Sequence, residues 1–178
     1  MPQQNTNISL YQESQAKDNC GFGLIVNRHG TQNRDVVKRS IASLTSMTHR
    51  GAIGADGKTG DGCGLLFDLN QTFFQKQLRK ELKIKLPELF GIAQIFSSAA
   101  LKKDLPAIKT ILQSENLVFE CVREVPINTS VLGEIALESL PKINQIFITP
   151  ISKDFNKERF ESCLLQARKT IEELYNND

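Results

Sequence analysis

The sequence has few of the residues from which metal sites and disulfide frameworks are built. It has two histidines and four cysteines, and the cysteines stand far apart with no Cys-x-x-Cys pair. Zinc sites need closely spaced ligands, and small secreted folds need a dense cysteine framework. We therefore expect no metal site, and we expect free thiols at all four positions, which are Cys20, Cys63, Cys121 and Cys163.

The chain also lacks a strong charge and a long apolar run. Its net charge of +2 over 178 residues is too small to indicate a nucleic-acid partner. The densest basic run, at residues 76–85, also contains Glu81 and lies on a predicted helix, so a solvated face explains it. No stretch approaches the roughly 18 apolar residues of a membrane span, and no signal peptide opens the chain. We expect a cytoplasmic protein that binds neither nucleic acid nor a membrane.

What is present fits one globular α+β domain behind a polar leader. Hydrophobic residues make up 40% of the chain, enough to bury a core, and residues 1–19 are rich in Gln, Asn and Ser. Apolar runs predict strands at 21–27, 65–69, 89–96, 117–125 and 143–148. Helical spacing predicts helices at 34–48, after Asn70, at 101–112 and at 156–175, with an ambiguous short helix at 131–140.

Cys20 stands where the polar leader stops and the first predicted strand starts. Gly21 and Gly23 follow it, and they remove side chains where a ligand or another backbone could approach. A small buried hydrophobe at a strand end has the same pattern. Taken alone, the residues leave both interpretations open.

The stretch at 49–64 has six glycines in sixteen residues, which predicts a long loop, and long loops inside compact domains usually carry function. Part of it, Ala52 to Thr59, fits a relaxed phosphate-loop pattern. A phosphate loop follows a strand and opens a helix, whereas this segment follows a predicted helix and continues into Gly60-Asp61-Gly62. We therefore do not predict nucleotide binding.

Three motifs together, Asp-Asn-Cys-Gly-Phe-Gly (18–23), Met-Thr-His-Arg-Gly-Ala (47–52) and Asp-Gly-Lys-Thr-Gly-Asp-Gly-Cys-Gly (56–64), resemble a known family. They are similar to the N-terminal class II glutamine amidotransferase domain of the glutamate synthase large subunit. The segments 122–126, 132–134 and 140–147 extend the resemblance. It implies an N-terminal-nucleophile hydrolase fold, an αββα sandwich of mostly antiparallel sheets, which would be incomplete in this chain.

The resemblance implies Cys20 as the catalytic nucleophile, with Arg50 and Gly51 in a turn that supports the site. Removal of residues 1–19 would make Cys20 the first residue of domain 20–178, so that its own α-amino group could act as the base. An α-amine titrates near pH ~7.7–8.0, close enough to neutrality for proton transfer. The thiolate would attack the side-chain amide of glutamine, and ammonia and then glutamate would leave.

For the full-length enzyme, the resemblance implies FMN, an iron–sulfur cluster, a small subunit and glutamate synthesis from 2-oxoglutarate; it implies no cofactor in this chain. The sequence has no Asn-Gly pair and no arginine segment of the kind that the family uses for the oxyanion and the glutamine α-carboxylate. We therefore expect the isolated chain to be inactive. Two functions stay open: the glutaminase part of glutamate synthase, or a truncated or split fragment that acts only as an assembly or interaction module.

Removal of the leader is the first testable prediction, because the proposed base exists only once the bond between Asn19 and Cys20 is cut. Intact-mass measurement of the protein purified from its native host should show a chain that begins at Cys20. An active species that retains Met1 or Pro2 would contradict the α-amine mechanism.

Overall fold

The computed structural model describes residues 21–31, 33–48, 51–97 and 101–175, and the chain separates into two units that divide after Leu66. No linker in the sequence marked this division. The helices and strands are α1 (Arg34–Ser46), α2 (Gln71–Glu81), β1 (Gly91–Ser97), α3 (Leu105–Ser114), β2 (Leu117–Glu124), α4 (Glu134–Glu138), β3 (Lys142–Pro150) and α5 (Lys157–Tyr175). The α+β class predicted from the sequence is confirmed.

The first unit contains α1, which begins where its capping signal predicts. The Asn33 side chain accepts a hydrogen bond from the Asp35 N–H at 2.8 Å, so Asn33 is the N-cap. The helix ends at Ser46, two residues before the predicted end. Within the first unit, the turn predicted at His29-Gly30 is also present, with Gly30 N–H donating to Asn27 O and Gly30 at φ +65°.

Two predicted strands are wrong. Residues 21–27 and 65–69 form no strand, and the side chains of Phe22, Leu24 and Leu66 are almost fully exposed. A strand requires a neighbouring chain segment to take its backbone hydrogen bonds, and no strand within the described residues pairs with either segment. Alternating apolar residues indicate that one face of a segment could be buried, but they do not show which other segment would pair with it.

The second unit is built on a three-stranded antiparallel sheet in the order β1-β3-β2. The central strand, β3, is buried without interruption from Gln145 to Thr149. On β2 the pairing shifts between Phe119 and Cys121, where an extra residue makes a bulge. The strands predicted at 89–96, 117–125 and 143–148 are all confirmed, with small changes at their ends.

Helices cover both faces of this sheet. On one face, α3 and α5 pack on alternate residues of β3, and the buried members of this core are Leu101, Ile108, Leu112, Leu117, Ile146, Ile148, Phe155, Phe160 and Ala167. On the other face, α2 and the segment after it enclose a smaller core of Leu78, Leu86, Phe90, Cys121 and Phe147. The residues 146, 147 and 148 therefore alternate between two cores, as the two-residue period of a strand requires.

The α2 helix is capped as predicted but buries less than predicted. The Asn70 side chain accepts from the Phe73 N–H at 2.9 Å. Helical spacing predicts a buried face made of Phe73, Phe74, Leu78 and Leu82. Of these four, only Leu78 is buried, while Phe74 is half-buried and packs against Phe147. Phe73 and Leu82 are exposed, because one helix lying alone on a narrow sheet covers only a narrow stripe of its own surface.

The remaining helices follow their sequence signals closely. Pro106 lies in the first turn of α3, where its missing N–H leaves no helical bond unmade. The ambiguous segment at 131–140 contains the short helix α4. The Asn156 side chain accepts from the Arg159 N–H at 2.8 Å at the start of α5. Leu174, predicted on the buried face of α5, is instead exposed near the end of the helix.

A row of polar side chains crosses the sheet beneath α2. The Arg123 side chain is only 10% exposed, and it donates to Glu81 Oε2 at 2.6 Å and to Glu81 Oε1 at 3.2 Å. It also donates to Gln145 Oε1 at 3.0 Å, and Gln145 donates onward to Gln94. The hydrogen bond from Arg123, aided by one from Gln77, holds the pKa of Glu81 below its usual value. This two-pronged pair fastens the end of α2 to β2.

Over the described ranges, none of the helices is both long enough and apolar enough to cross a membrane.

A close approach between α5 and β1 generates the second prediction. A Cβ atom built on Gly91 would lie 2.7 Å from Leu164 Cδ1 and 3.2 Å from Leu164 Cδ2, so any side chain must displace the whole head of that leucine. Gly91→Ala should lower the free energy of unfolding in urea by about 1–3 kcal/mol, the usual cost of overpacking.

The matched control is Gly64→Ala, because a Cβ there would have no neighbour within 4 Å. This control should change stability by less than about 0.5 kcal/mol. In a Leu164→Ala background the Gly91→Ala loss should shrink, since the obstructing atoms are gone. Equal losses for Gly91→Ala and Gly64→Ala would refute the close-packing account.

Candidate active site

The structure describes one of the three site residues that the sequence predicted. Gly51 lies within the described residues, whereas Cys20 and Arg50 lie outside them. The geometry that bears on the site therefore comes from their described neighbours in the first unit. These neighbours are Gly21 on one side and the segments ending at Thr48 and starting at Gly51 on the other.

Gly21, the residue after Cys20, lies beside the end of α1. A Cβ atom on Gly21 would stand 3.3 Å from the Sδ atom of Met47, which is closer than most side-chain contacts. Met47 is the C-cap of α1, and its N–H donates to Ser43 O at 3.2 Å and Leu44 O at 3.0 Å. The chain next to Cys20 is thus packed against the helix end that leads into the Thr-His-Arg-Gly segment.

Hydrogen bonds hold the two sides of that segment. On the helix side, the Thr48 hydroxyl donates to Thr45 O at 2.7 Å. Gly51 N–H donates to Thr48 O at 3.3 Å, which brings Gly51 back toward the end of α1. Gly51 is therefore placed by the helix end, the same element that Gly21 contacts.

The glycine-rich stretch after Gly51 is a closed hairpin. Ile53 and Gly60 form an isolated antiparallel bridge, and Gly54 N–H donates to Thr59 O at 2.6 Å. Gly57 turns the chain at φ +67°, a conformation that glycine adopts without strain. No helix follows the hairpin until α2 begins at Gln71, so Lys58 and Thr59 do not stand at a helix N-terminus, where a phosphate loop would place them.

Asp56 closes the tip of this hairpin. Its Oδ1 atom accepts from Lys58 N–H at 3.0 Å and from Thr59 N–H at 2.8 Å, and its Oδ2 atom accepts from the Thr59 hydroxyl. Aspartate side chains commonly bond to backbone N–H groups two residues ahead in this way, and the bond organises a turn. The lysine and threonine of the apparent phosphate-loop motif are thus part of the turn itself.

The Asp61 side chain joins the two arms of the hairpin at its base, where it bonds to the backbone of Ala52. Its Oδ2 atom accepts from Ala52 N–H at 2.9 Å, and a Cβ atom on Gly60 would stand 3.1 Å from Ala52 O. The sequence predicted neither contact. The available signal was the order Gly-Asp-Gly, which places one acceptor between two residues without side chains, but its partner lies nine residues earlier.

The described cysteines differ sharply in their surroundings. All three, Cys63, Cys121 and Cys163, are free thiols, as the sequence predicted. The sequence surroundings of Cys63, Cys121 and Cys163 predict a core or its edge, but Cys63 is exposed in the glycine-rich stretch. Cys121 is buried between α2 and the sheet, and this burial, with a smaller effect of the Glu120 charge, raises the pKa of the Cys121 thiol to about 11.

The described residues contain no group of three or more His, Cys, Asp or Glu side chains that could hold a metal ion. Iron–sulfur clusters are held by several cysteine thiolates that converge on one site. Cys121 lies on β2 and Cys163 on α5, in different cores, so these thiols do not fit a cluster.

An open groove of about 540 Å³ lies in the second unit, between the end of β2 and the start of β3. Its walls are mainly apolar and include Val125, Pro126, Leu140 and Pro141. Neither cysteine nor histidine is among the residues that line it.

Comparison with known proteins identifies relatives along almost the whole chain. The family model for class-II glutamine amidotransferases matches residues 20–178. The NADPH glutamate synthase large chain of Bacillus subtilis is 34% identical over 166 residues, covering 92% of this chain and 11% of that protein. The NADH glutamate synthase of Saccharomyces cerevisiae is 31% identical over 173 residues, covering 90% and 8% respectively. The ferredoxin-dependent glutamate synthase of Pyropia yezoensis is 34% identical, covering 92% and 11%. The chain spans about a tenth of the length of these curated relatives.

The surroundings of the cysteines generate the third prediction. In a brief iodoacetamide pulse at pH 8, Cys63 should be modified and Cys121 should be spared, because a thiol with a pKa of about 11 is almost entirely protonated there. The exposed Cys63 thiol should react on the order of a hundredfold faster. Peptide mapping by mass spectrometry gives both rates, and the same pulse in denaturant should remove the difference.

The pH dependence has a definite sign. Folding raises the pKa of Cys121, so the folded chain keeps a proton that the unfolded chain loses as the pH rises. The free energy of unfolding should therefore be unaffected by this group below about pH 8.5 and should decline above it. Equal modification of Cys121 and Cys63 in the folded chain would show that the α2 layer does not enclose Cys121.

Proposed function

The chain belongs to the class-II glutamine amidotransferases, and we propose that Cys20 is the nucleophile with which it releases ammonia from the side-chain amide of glutamine. The observation that carries this proposal is the extent of the family match, which begins at residue 20 and runs to residue 178. The first matched residue is thus the cysteine that the sequence motifs single out.

The proposed chemistry uses only groups of this residue and the substrate. With residues 1–19 removed, the α-amino group of Cys20 takes the thiol proton, and the thiolate attacks the amide carbon of glutamine. A carbon–sulfur bond forms, the carbon–nitrogen bond breaks, and the proton leaves with ammonia. Water then hydrolyses the γ-glutamyl thioester to glutamate and regenerates the thiol. No electrons are transferred, so this half of the reaction needs no redox cofactor.

We assign Arg50 and Gly51 to the support of this site. The contact of Gly21 with Met47 and the hydrogen bond of Gly51 to Thr48 favour this assignment, because both bring described neighbours of the proposed residues to the end of α1. An arginine guanidinium is suited to a carboxylate, since it can donate two parallel hydrogen bonds. Glutamine carries such a carboxylate at its α-carbon.

We also propose that the fold is the αββα sandwich of N-terminal-nucleophile hydrolases. The described sheet would be one part of it. In support of this, Phe22, Leu24 and Val26 are exposed, so this segment presents apolar side chains that a further layer could cover. The segment at 65–69 has the same exposed apolar character.

The relatives are glutamate synthases, which favours a place in glutamate synthesis. We propose that ammonia from this site serves the formation of glutamate from 2-oxoglutarate in the cytoplasm. The partners would be the remainder of a synthase large subunit and a small subunit. FMN and an iron–sulfur cluster would belong to those parts of the enzyme; for the cluster, this fits the described cysteines of this chain, which do not converge on one site.

The fourth prediction tests the nucleophile by covalent labelling. A glutamine-like chloromethyl ketone should form a thioether at Cys20, with saturation kinetics that glutamine slows by competition. Cys20→Ala should abolish this saturable labelling. Cys63→Ala is the matched control, because it removes an exposed thiol from the same unit.

Mass-spectrometric mapping locates the adduct. Saturable labelling that persists in Cys20→Ala, or that moves to Cys121 or Cys163 in the parent chain, would overturn the assignment. Labelling that excess glutamine does not slow would argue for a reactive thiol without a glutamine site.

A further inference from the structure

We propose that Asp61 is a positioning residue for glutamine capture, because its carboxylate fixes the backbone at Ala52 and thereby holds Gly51. This inference rests on the proposed function and deepens it. The sequence motifs singled out the glycine-rich stretch, but the proposed chemistry assigns no task to residues 52–62. The contacts of those residues supply one.

The Asp61 carboxylate adds a side-chain hydrogen bond to Ala52 N–H at the base of the hairpin, next to the bridge between Ile53 and Gly60. At 2.9 Å it has the length of a good bond, and its acceptor is a carboxylate, which binds N–H groups more strongly than a neutral oxygen does. The Gly51 bond to Thr48 is longer, at 3.3 Å, and so is the weaker of the two restraints on Gly51.

The hairpin lowers the entropy that is lost when the bond between Asp61 and Ala52 forms. Asp56 and Gly57 close the tip, and the bridge between Ile53 and Gly60 aligns the two arms. Asp61 therefore reaches Ala52 across ends that are already close, and little loop entropy is left to lose. An exposed hydrogen bond can persist under those conditions although water competes for both partners.

Gly60 provides a second restraint at the same place. A Cβ atom at this position would stand 3.1 Å from Ala52 O, which is tighter than most Cβ contacts, so there is little space between Gly60 and the Ala52 carbonyl. Ala52 is thus held on its N–H side by Asp61 and contacted on its carbonyl side by Gly60. Gly51 directly precedes Ala52 in the chain, so it has little freedom to shift along the chain direction.

This placement matters because a shift of about 1 Å in a substrate-positioning group can cost on the order of 10²-fold in rate. A loosened Gly51 would leave the thiol of Cys20 intact and would weaken only the capture of a glutamine-shaped ligand. A merely structural role would instead lower stability and change all reactions of the thiol together. The two cases can be separated by experiment.

The test uses the expressed 178-residue chain, with its N-terminus established by intact mass, in four forms: parent, Asp61→Ala, Asp61→Asn and Asp68→Ala. Asp68 is exposed and makes no hydrogen bond or ion pair with the described part of the chain, so it controls for the loss of one carboxylate. The measurements are the apparent KI of a glutamine-like chloromethyl ketone at Cys20, the rate of Cys20 with iodoacetamide, the melting temperature, and hydrogen exchange at the Ala52 amide.

Asp61→Ala should raise the apparent KI roughly tenfold or more and speed Ala52 exchange by a similar factor, with the iodoacetamide rate and melting temperature unchanged. Asp61→Asn should behave nearly as the parent, because its amide oxygen can still accept from Ala52 N–H. Asp68→Ala should match the parent throughout.

Unchanged KI and unchanged Ala52 exchange in Asp61→Ala would overturn the inference. So would an Asp61→Asn variant as impaired as Asp61→Ala, since the bond would then not be what matters. If the parent shows no saturable labelling at Cys20, the proposed function fails and the role in glutamine capture fails with it. In that case Ala52 exchange still decides whether Asp61 holds the segment.

Discussion

The burial of β3 is the constraint on which the second unit depends. Five consecutive residues, 145–149, are buried, with at most 8% of the surface of any of them exposed, which requires that both faces and both edges of the strand are covered. Ile146 and Ile148 belong to the core under α3 and α5, and Phe147 belongs to the core under α2. A change at Phe147 or Ile148 would therefore be felt in a different layer of the unit, although the two residues are neighbours in the chain.

The first unit is organised by different forces. Most of its large apolar side chains are exposed, among them Phe22, Ile41 and Ile53, so hydrophobic burial contributes little to its local order. Its order comes instead from short polar links such as the Asn33 cap, the Asp56 turn and the bond between Asp61 and Ala52. These links fix backbone directions over a few residues, which is what the support of a reactive group requires.

Much of the second unit could be predicted from its sequence because the signals are local. The caps at Asn70 and Asn156 and the proline at 106 each act within one turn of helix, close to where the sequence predicted helices. The strands at 21–27 and 65–69 failed because pairing depends on a distant partner that local apolar alternation does not specify. At the site, Cys20 and Arg50 emerged from the family resemblance, since a cysteine or an arginine alone fits many roles. Asp61 was missed because its hydrogen-bond partner is nine residues away.

The row of Gln94, Gln145 and Arg123 has a further consequence for how the sheet assembles. These three residues are direct partners across the strands, Gln94 opposite Gln145 and Gln145 opposite Arg123. Because β3 is buried on both faces, apolar side chains alone would tolerate a slip of either edge strand along it. A slip of one residue would turn Arg123 toward the core under α3 and α5, away from Glu81, and would bury a charge without an acceptor. The row of Gln94, Gln145 and Arg123 therefore favours one register of the three strands and disfavours registers that differ from it by one residue.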